Sequence, residues 1–175
     1  MMIRPFVISI SGVSGSGKTS VVEELYKRLP QSAAFYFDDY VFEKEPGDMK
    51  KWIENGRMPD AWDLSTMEQD IRTMKGPDIL LLDYPFGKEA GYGIGELIDT
   101  AVFLDVPLDI ALVRRTLRDC GDKSADEILQ ELAAYRAVRR YYPYDENKMD
   151  VFDHRLDGSK SVAMLADEII TNFLR

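Results

Sequence analysis

Gly12-Val13-Ser14-Gly15-Ser16-Gly17-Lys18-Thr19 is an uninterrupted G-x-x-x-x-G-K-[ST] sequence. Phe6-Val7-Ile8-Ser9-Ile10, just before it, has the composition of a buried strand. Ser20 to Leu29, just after it, carries Val21, Val22, Leu25 and Leu29 at helical spacing. Strand, glycine-rich turn and helix therefore follow one another in the order a phosphate-binding loop requires. Glycines let successive N–H groups turn inward, and the following helix aims its positive end at the same point. Gly12, Val13, Ser14, Gly15, Ser16 and Gly17 are thus expected to cradle a polyphosphate. Lys18 would reach its β- and γ-phosphates, and the Thr19 hydroxyl would face a Mg²⁺ bridging them.

Further β-rich runs recur along the chain at Ala33 to Phe37, Ile79 to Asp83, Ala101 to Val106 and Val151 to Leu156. Five strands alternating with helical stretches predict an α/β fold with a parallel sheet and helices on both faces. Ligands of such sheets bind beyond the carboxyl ends of the strands, so the residues closing each strand are the candidate site. The 175 residues suit one domain, with no repeat or linker to divide it. Glu43 to Pro59, with Pro46-Gly47 and Asn55-Gly56, is the most loop-like stretch of the chain.

The second strand runs into Phe37-Asp38-Asp39-Tyr40, two acids expected to face the phosphate loop from a neighbouring strand. A carboxylate there could orient Mg²⁺ or accept a proton from an attacking hydroxyl, although Asp is also a common helix cap. The third strand ends in Asp83 after four apolar residues, the pattern of a metal-side carboxylate. Arg114, Arg115 and Arg118 fall within five residues of a helix that begins after Pro107. Guanidinium groups clamp phosphate oxygens in pairs, and Cys120-Gly121-Asp122-Lys123 supplies a turn, so residues 114 to 126 read as a short Arg-rich lid. The bland alternative for the three arginines is a solvated helix end whose cations complement its dipole. Arg136, Arg139 and Arg140 among Tyr135, Tyr141 and Tyr142 read instead as a packed, partly solvated face.

A net charge of −9 speaks against general nucleic-acid binding, which needs a basic face. No apolar run approaches the roughly 20 residues of a membrane span, and no cleavable signal fits before the first strand. The lone Cys120 leaves no internal disulfide and reads as a small filler. A cytoplasmic protein with a small-molecule partner is the expectation. His154 is the only histidine, so catalysis should rest on carboxylates, lysine and arginine.

Taken together, these segments resemble the uridine kinase and nicotinamide riboside kinase group of P-loop kinases, over nearly the whole chain. Gly12 to Thr19 matches that group's G-x-[ST]-x-[ST]-G-K-T form, and Phe37-Asp38-Asp39-Tyr40 is similar to its Asp-Asp/Ser-Phe-Tyr/Phe segment. Pro59-Asp60-Ala61-Trp62-Asp63 is similar to Pro-Asp-Ala-Phe-Asp, and Arg114 to Asp119 to Arg-Arg-x-x-Arg-Asp. The resemblance implies a three-layer P-loop NTPase fold, ATP and Mg²⁺ as cofactors, and transfer of the γ-phosphoryl to a hydroxyl of a nucleoside- or riboside-like acceptor. By the same resemblance Asp38 is the base toward that hydroxyl, Asp60 binds ribose hydroxyls, Arg115 binds substrate and Arg118 binds nucleotide phosphates. The metal-side group would be Thr19, Asp83 and Asp38.

The departures are specific. Uridine kinases carry a long insertion with a base-gripping hairpin before the third strand, whereas here only Leu64 to Asp78 fills the gap. The third strand ends Asp83-Tyr84 in place of Glu-Gly, and Lys123 stands where the lid often has further arginines. A kinase for a non-nucleoside metabolite, and a nucleotide-binding regulatory module or slow NTPase, are the alternatives.

Overall fold

A computed structural model describes residues 4–55, 61–89, 93–138 and 146–174. Its strands are β1 (Phe6–Ser11), β2 (Ser32–Tyr36), β3 (Ile79–Asp83), β4 (Thr100–Asp105) and β5 (His154–Asp157). They form one all-parallel sheet in the order β2-β3-β1-β4-β5. The helices are α1 (Lys18–Arg28), α2 (Met49–Glu54), α3 (Ser65–Thr73), α4 (Leu108–Asp119), α5 (Ala125–Val138) and α6 (Val162–Phe173).

Strand alternation divides the core into two layers. Ile8, Ile10, Leu81, Val102 and Leu104 point to one face, where Val21, Val22 and Leu25 of α1 meet Leu165, Ala166 and Ile169 of α6. Val7, Leu80, Leu82, Ala101 and Phe103 point to the other, against Met67 and Ile71 of α3 and Trp52 of α2. Burial on both faces is why these strands read as near-continuous apolar runs. The expected three-layer α/β architecture is therefore the observed one.

Three expectations need correction. Glu43 to Pro59 is not a loop throughout, because α2 lies inside it. The Asp48 carboxylate accepts from Lys51 N at 3.1 Å, and Trp52 is buried in the core below. Two turn dipeptides flank that helix and mask its cap.

The last strand begins at His154, three residues later than its apolar composition suggests. Glu146–Val151 forms a short 3₁₀ segment, and Phe152 packs on Phe103 from outside the sheet, with ring centroids 4.9 Å apart. Pairing with β4 starts only where His154 meets Val102.

Asp38 and Asp39 do not come from the strand beside β1. β3 lies between β1 and β2, so the acids approach from two strands away.

Candidate functional site at the carboxyl edge of the sheet

With every strand parallel, the ends of β1, β2 and β3 share one edge, and the candidate residues Lys18, Thr19, Asp38 and Asp83 follow or close those strands. The phosphate loop leaves β1 at Ser11 and turns through a Ser16 N–H bond to the Val13 carbonyl, 3.0 Å. Gly17 caps α1 with φ +96°, a left-handed conformation that glycine adopts without strain. Gly15 has φ +87°, and a Cβ there would lie 2.1 Å from the Ala111 carbonyl oxygen. The loop therefore rests directly on the first half of α4. Val13, Val106 and Ala111 form a small apolar cluster beneath that contact. Ser16 is buried, and its hydroxyl has no hydrogen-bond partner among the described residues.

Lys18 and Thr19 open α1. Lys18 Nζ donates to the Val13 carbonyl at 3.4 Å. Burial lowers its pKa, the charges of Asp83 and Asp38 push the other way, and Arg118 adds to the lowering. Thr19 Oγ1 donates to Asp83 Oδ2 at 2.5 Å, joining α1 to the end of β3. Asp83 is only 7% exposed. That burial raises its pKa above the ordinary carboxylate value, against the opposing pull of Lys18 and Thr19. Lys18, Asp38, Asp83 and Arg118 thus act on one another electrostatically.

Among the described residues no group of three or more His, Cys, Asp or Glu side chains could by itself hold a metal. The paired Thr19 hydroxyl and Asp83 carboxylate are hard oxygen donors of the kind Mg²⁺ takes when phosphate and water oxygens complete its shell. The donor set fits that ion.

β2 ends at Tyr36, and Phe37–Asp39 forms a 3₁₀ turn that leaves both acids exposed. Tyr40 fastens the turn by donating its hydroxyl to Asp70 of α3 at 3.0 Å. Burial, then that carboxylate, raises the phenol pKa well above its usual value. Beneath the acids lies an aromatic group that sequence reasoning missed. Phe37 packs on Phe42, Trp62 and Phe86 with ring centroids 4.8, 5.2 and 5.6 Å apart. The density of aromatics between Phe35 and Phe42 was its only linear signal. Asp60 lies outside the described residues, as do Arg139, Arg140, Tyr141 and Tyr142.

The three arginines of α4 go to different places. Arg114 Nη1 donates to the Gly158 carbonyl after β5 at 3.3 Å. Arg115 is half-buried between α4 and α5, beside Leu112, Asp119, Glu131 and Tyr135. Arg118 is exposed and is the one that interacts with Lys18, Asp38 and Asp83. The turn after α4 closes with Lys123 N on the Cys120 carbonyl, 3.2 Å. Cys120 is buried, as a filler would be. Ser124 and Glu127 then start α5 with reciprocal bonds, Glu127 Oε2 accepting from Ser124 N at 2.8 Å and Ser124 Oγ from Glu127 N at 3.4 Å. This capping box is an S-x-x-E sequence that could have been read directly.

No family model matches the chain. Uridine-cytidine kinase B of Dictyostelium discoideum is 29% identical over 147 residues, 69% of this chain and 60% of that protein. A uridine kinase of Clostridium botulinum is 23% identical over 160 residues, 74% of this chain and 77% of that one. The chain is similar to the uridine kinases. It spans somewhat less than two thirds of the first of these relatives and about three quarters of the second. The deoxyadenosine kinase of M. mycoides superposes with a TM-score of 0.58 at 19% identity, covering 97% of this chain and 100% of that one. The fold is therefore shared with that kinase, and the similarity to the two uridine kinase relatives covers 69% and 74% of this chain. No helix among the described residues is long and apolar enough to cross a membrane.

Proposed function

We propose that the protein is an ATP-dependent phosphotransferase that moves the γ-phosphoryl group to a hydroxyl of a small nucleoside- or riboside-like acceptor. The observation that carries this reading is the electrostatic grouping of Lys18, Asp83, Asp38 and Arg118 around one phosphate loop. A phosphate loop alone serves switches and motors equally well. A carboxylate supplied from a different strand, with an arginine from a third element, suits transfer to a second substrate. The similarity to proteins named uridine kinase supports the same class.

In this reading Lys18 and the loop N–H groups of Gly12 to Thr19 bind the nucleotide phosphates. Thr19 and Asp83 would hold Mg²⁺, which neutralises charge on the phosphate oxygens when bound. Asp38 orients or deprotonates the acceptor hydroxyl, with Asp60 and Arg115 binding the rest of the acceptor. Arg118 stabilises charge on the transferring group. Such catalysis is chiefly positioning and electrostatics. The acceptor-side segment Leu64 to Asp78 is short, and α3 occupies its core, so a compact acceptor fits this reading better than one needing an extended base-binding hairpin.

The test is Mg·ATP consumption measured against a panel of nucleosides, riboside vitamins and sugars. Strong stimulation by one compound, with a phosphorylated product, is expected. Tight Mg·ATP binding with no stimulation by any of them would replace the kinase with a nucleotide-responsive module.

A further inference from the structure

Asp119 is the last residue of α4, and its carboxylate takes two arginines at once. Arg118 donates Nε to Oδ1 at 2.6 Å and Nη2 to Oδ2 at 3.1 Å. Arg115 Nε lies 3.5 Å from Oδ2. A carboxylate at this end of a helix faces the negative pole of the backbone dipole, so it is unfavourable there unless paired. The Arg118 hydrogen bonds hold the Asp119 pKa below the ordinary carboxylate value.

A guanidinium has five N–H donors in a rigid plane. The carboxylate grips the Nε/Nη2 edge of Arg118 and leaves Nη1 with no protein acceptor among the described residues. Arg118 is also the arginine that feels Asp38 and Asp83. Its helix is already fixed at the other end, where Gly15 of the phosphate loop meets the Ala111 carbonyl. What remains to be set is the direction of a long, exposed side chain.

We propose that Asp119 is a positioning residue for phosphoryl transfer, holding Arg118 by one edge so that its free edge meets the phosphate being transferred. The proposal rests on the kinase reading above. An arginine ordered in advance loses less freedom as charge develops on the transferring group, so the benefit falls on kcat rather than on nucleotide affinity. Asp119 itself touches no substrate, and its effect passes wholly through its partners.

A double-mutant cycle on the full chain tests this, using Mg·ATP turnover with the stimulating acceptor, or basal Mg·ATP hydrolysis where water is the acceptor. Asp119→Ala is expected to lower kcat about tenfold while KM for Mg·ATP moves less than about twofold. Asp119→Asn, which keeps one acceptor oxygen, should fall between it and the parent. Arg118→Ala should lower kcat at least as far, and Asp119→Ala should add nothing in that background. Additive losses, or parental kcat in Asp119→Ala, overturn the proposal while leaving the kinase reading in place. Faster turnover in Asp119→Ala also overturns it, since the carboxylate would then be competing with phosphate. A parent protein that does not turn over Mg·ATP, whether or not it binds it, overturns the kinase reading and the proposal together. Should Asp119→Ala fail to fold, Asp119→Asn with Arg118→Lys completes the same cycle.

Discussion

Thr19 Oγ1 and Asp83 Oδ2 lie 2.5 Å apart, so the hydroxyl that opens α1 is held by the carboxylate that closes β3. The pair sits next to Lys18, and Asp83 has its pKa raised chiefly by burial. A raised pKa means that acid protonates Asp83 sooner than an ordinary carboxylate, and cation binding needs the ionised form. The increment in ATP affinity conferred by Mg²⁺ should therefore vanish on acidification while the pH is still above the usual Asp range of about 4. Titrations with and without Mg²⁺, from neutral pH downward, isolate the increment from the protonation of ATP itself. An increment that persists to about pH 4, or one that survives in Asp83→Asn, would remove Asp83 from the metal side.

Lys18 provides the complementary case. Burial lowers its pKa and Arg118 lowers it further, so the apo protein holds a cation in an unfavourable place, relieved in part by Asp83 and Asp38. Bound phosphates would supply the missing counter-charge. Lys18→Met, which keeps the length and loses the charge, is expected to abolish turnover and weaken ATP binding at least about 100-fold, with the fold retained. Far-ultraviolet circular dichroism and calorimetric titration check the two halves. A folded Lys18→Met protein that still turns over ATP would exclude the lysine from the chemistry.

Much of this site was legible in the sequence because its parts are local. Gly12 to Thr19 specify their own backbone, and Asp83 announces itself by ending an apolar strand. The strand order was not legible, since parallel connections of similar length allow β2 to pair with β1 or with β3. That is why Asp38 was expected one strand too near. α2 was hidden because Asp48 caps it between two turn dipeptides, and β5 was read three residues early because Val151 and Phe152 are apolar for a packing reason outside the sheet. The Asp119 grip on Arg118 depends on side-chain rotamers at adjacent positions, which no spacing rule encodes.

Gly15 and Gly17 separate backbone strain from steric contact. Both have positive φ, +87° and +96°, so an alanine at either costs about 1–3 kcal/mol of strain. Only at Gly15 does the added Cβ strike another backbone, the Ala111 carbonyl at 2.1 Å, whereas nothing lies within 4 Å at Gly17. Gly15→Ala should therefore lower the melting temperature further than Gly17→Ala and displace α4 with its arginines. Equal melting temperatures would mean that the loop and α4 yield freely at this contact.

Asp38 is exposed in its 3₁₀ turn, two strands from the phosphate loop, yet it contributes to the electrostatics of both Lys18 and Asp83. A base toward the acceptor hydroxyl acts in the transition state and adds little to holding ATP. Asp38→Asn should accordingly reduce kcat by about 100-fold or more, within the range typical of general-base catalysis, with ATP affinity within about threefold of the parent. The same substitution at Asp39 should cost much less. A larger effect at Asp39 would transfer the role to that residue.

Ser9 and Ser11 lie on the same side of β1 as Val7, and both are fully buried. Their hydroxyls have opposite fates. Ser11 Oγ donates to the Tyr84 carbonyl at 2.6 Å, tying the start of the phosphate loop to the segment after β3. Ser9 Oγ has no hydrogen-bond partner among the described residues. Burying a hydroxyl without a partner costs free energy that alanine does not incur, while deleting a bonded one takes a donor from a buried carbonyl. Ser9→Ala should leave unfolding free energy within about 0.5 kcal/mol of the parent or raise it, and Ser11→Ala should lower it by about 1–3 kcal/mol. Chemical denaturation of the two variants measures the difference directly. A loss at Ser9 as large as that at Ser11 would show that the Ser9 hydroxyl is satisfied in solution, for which a buried water is the available partner.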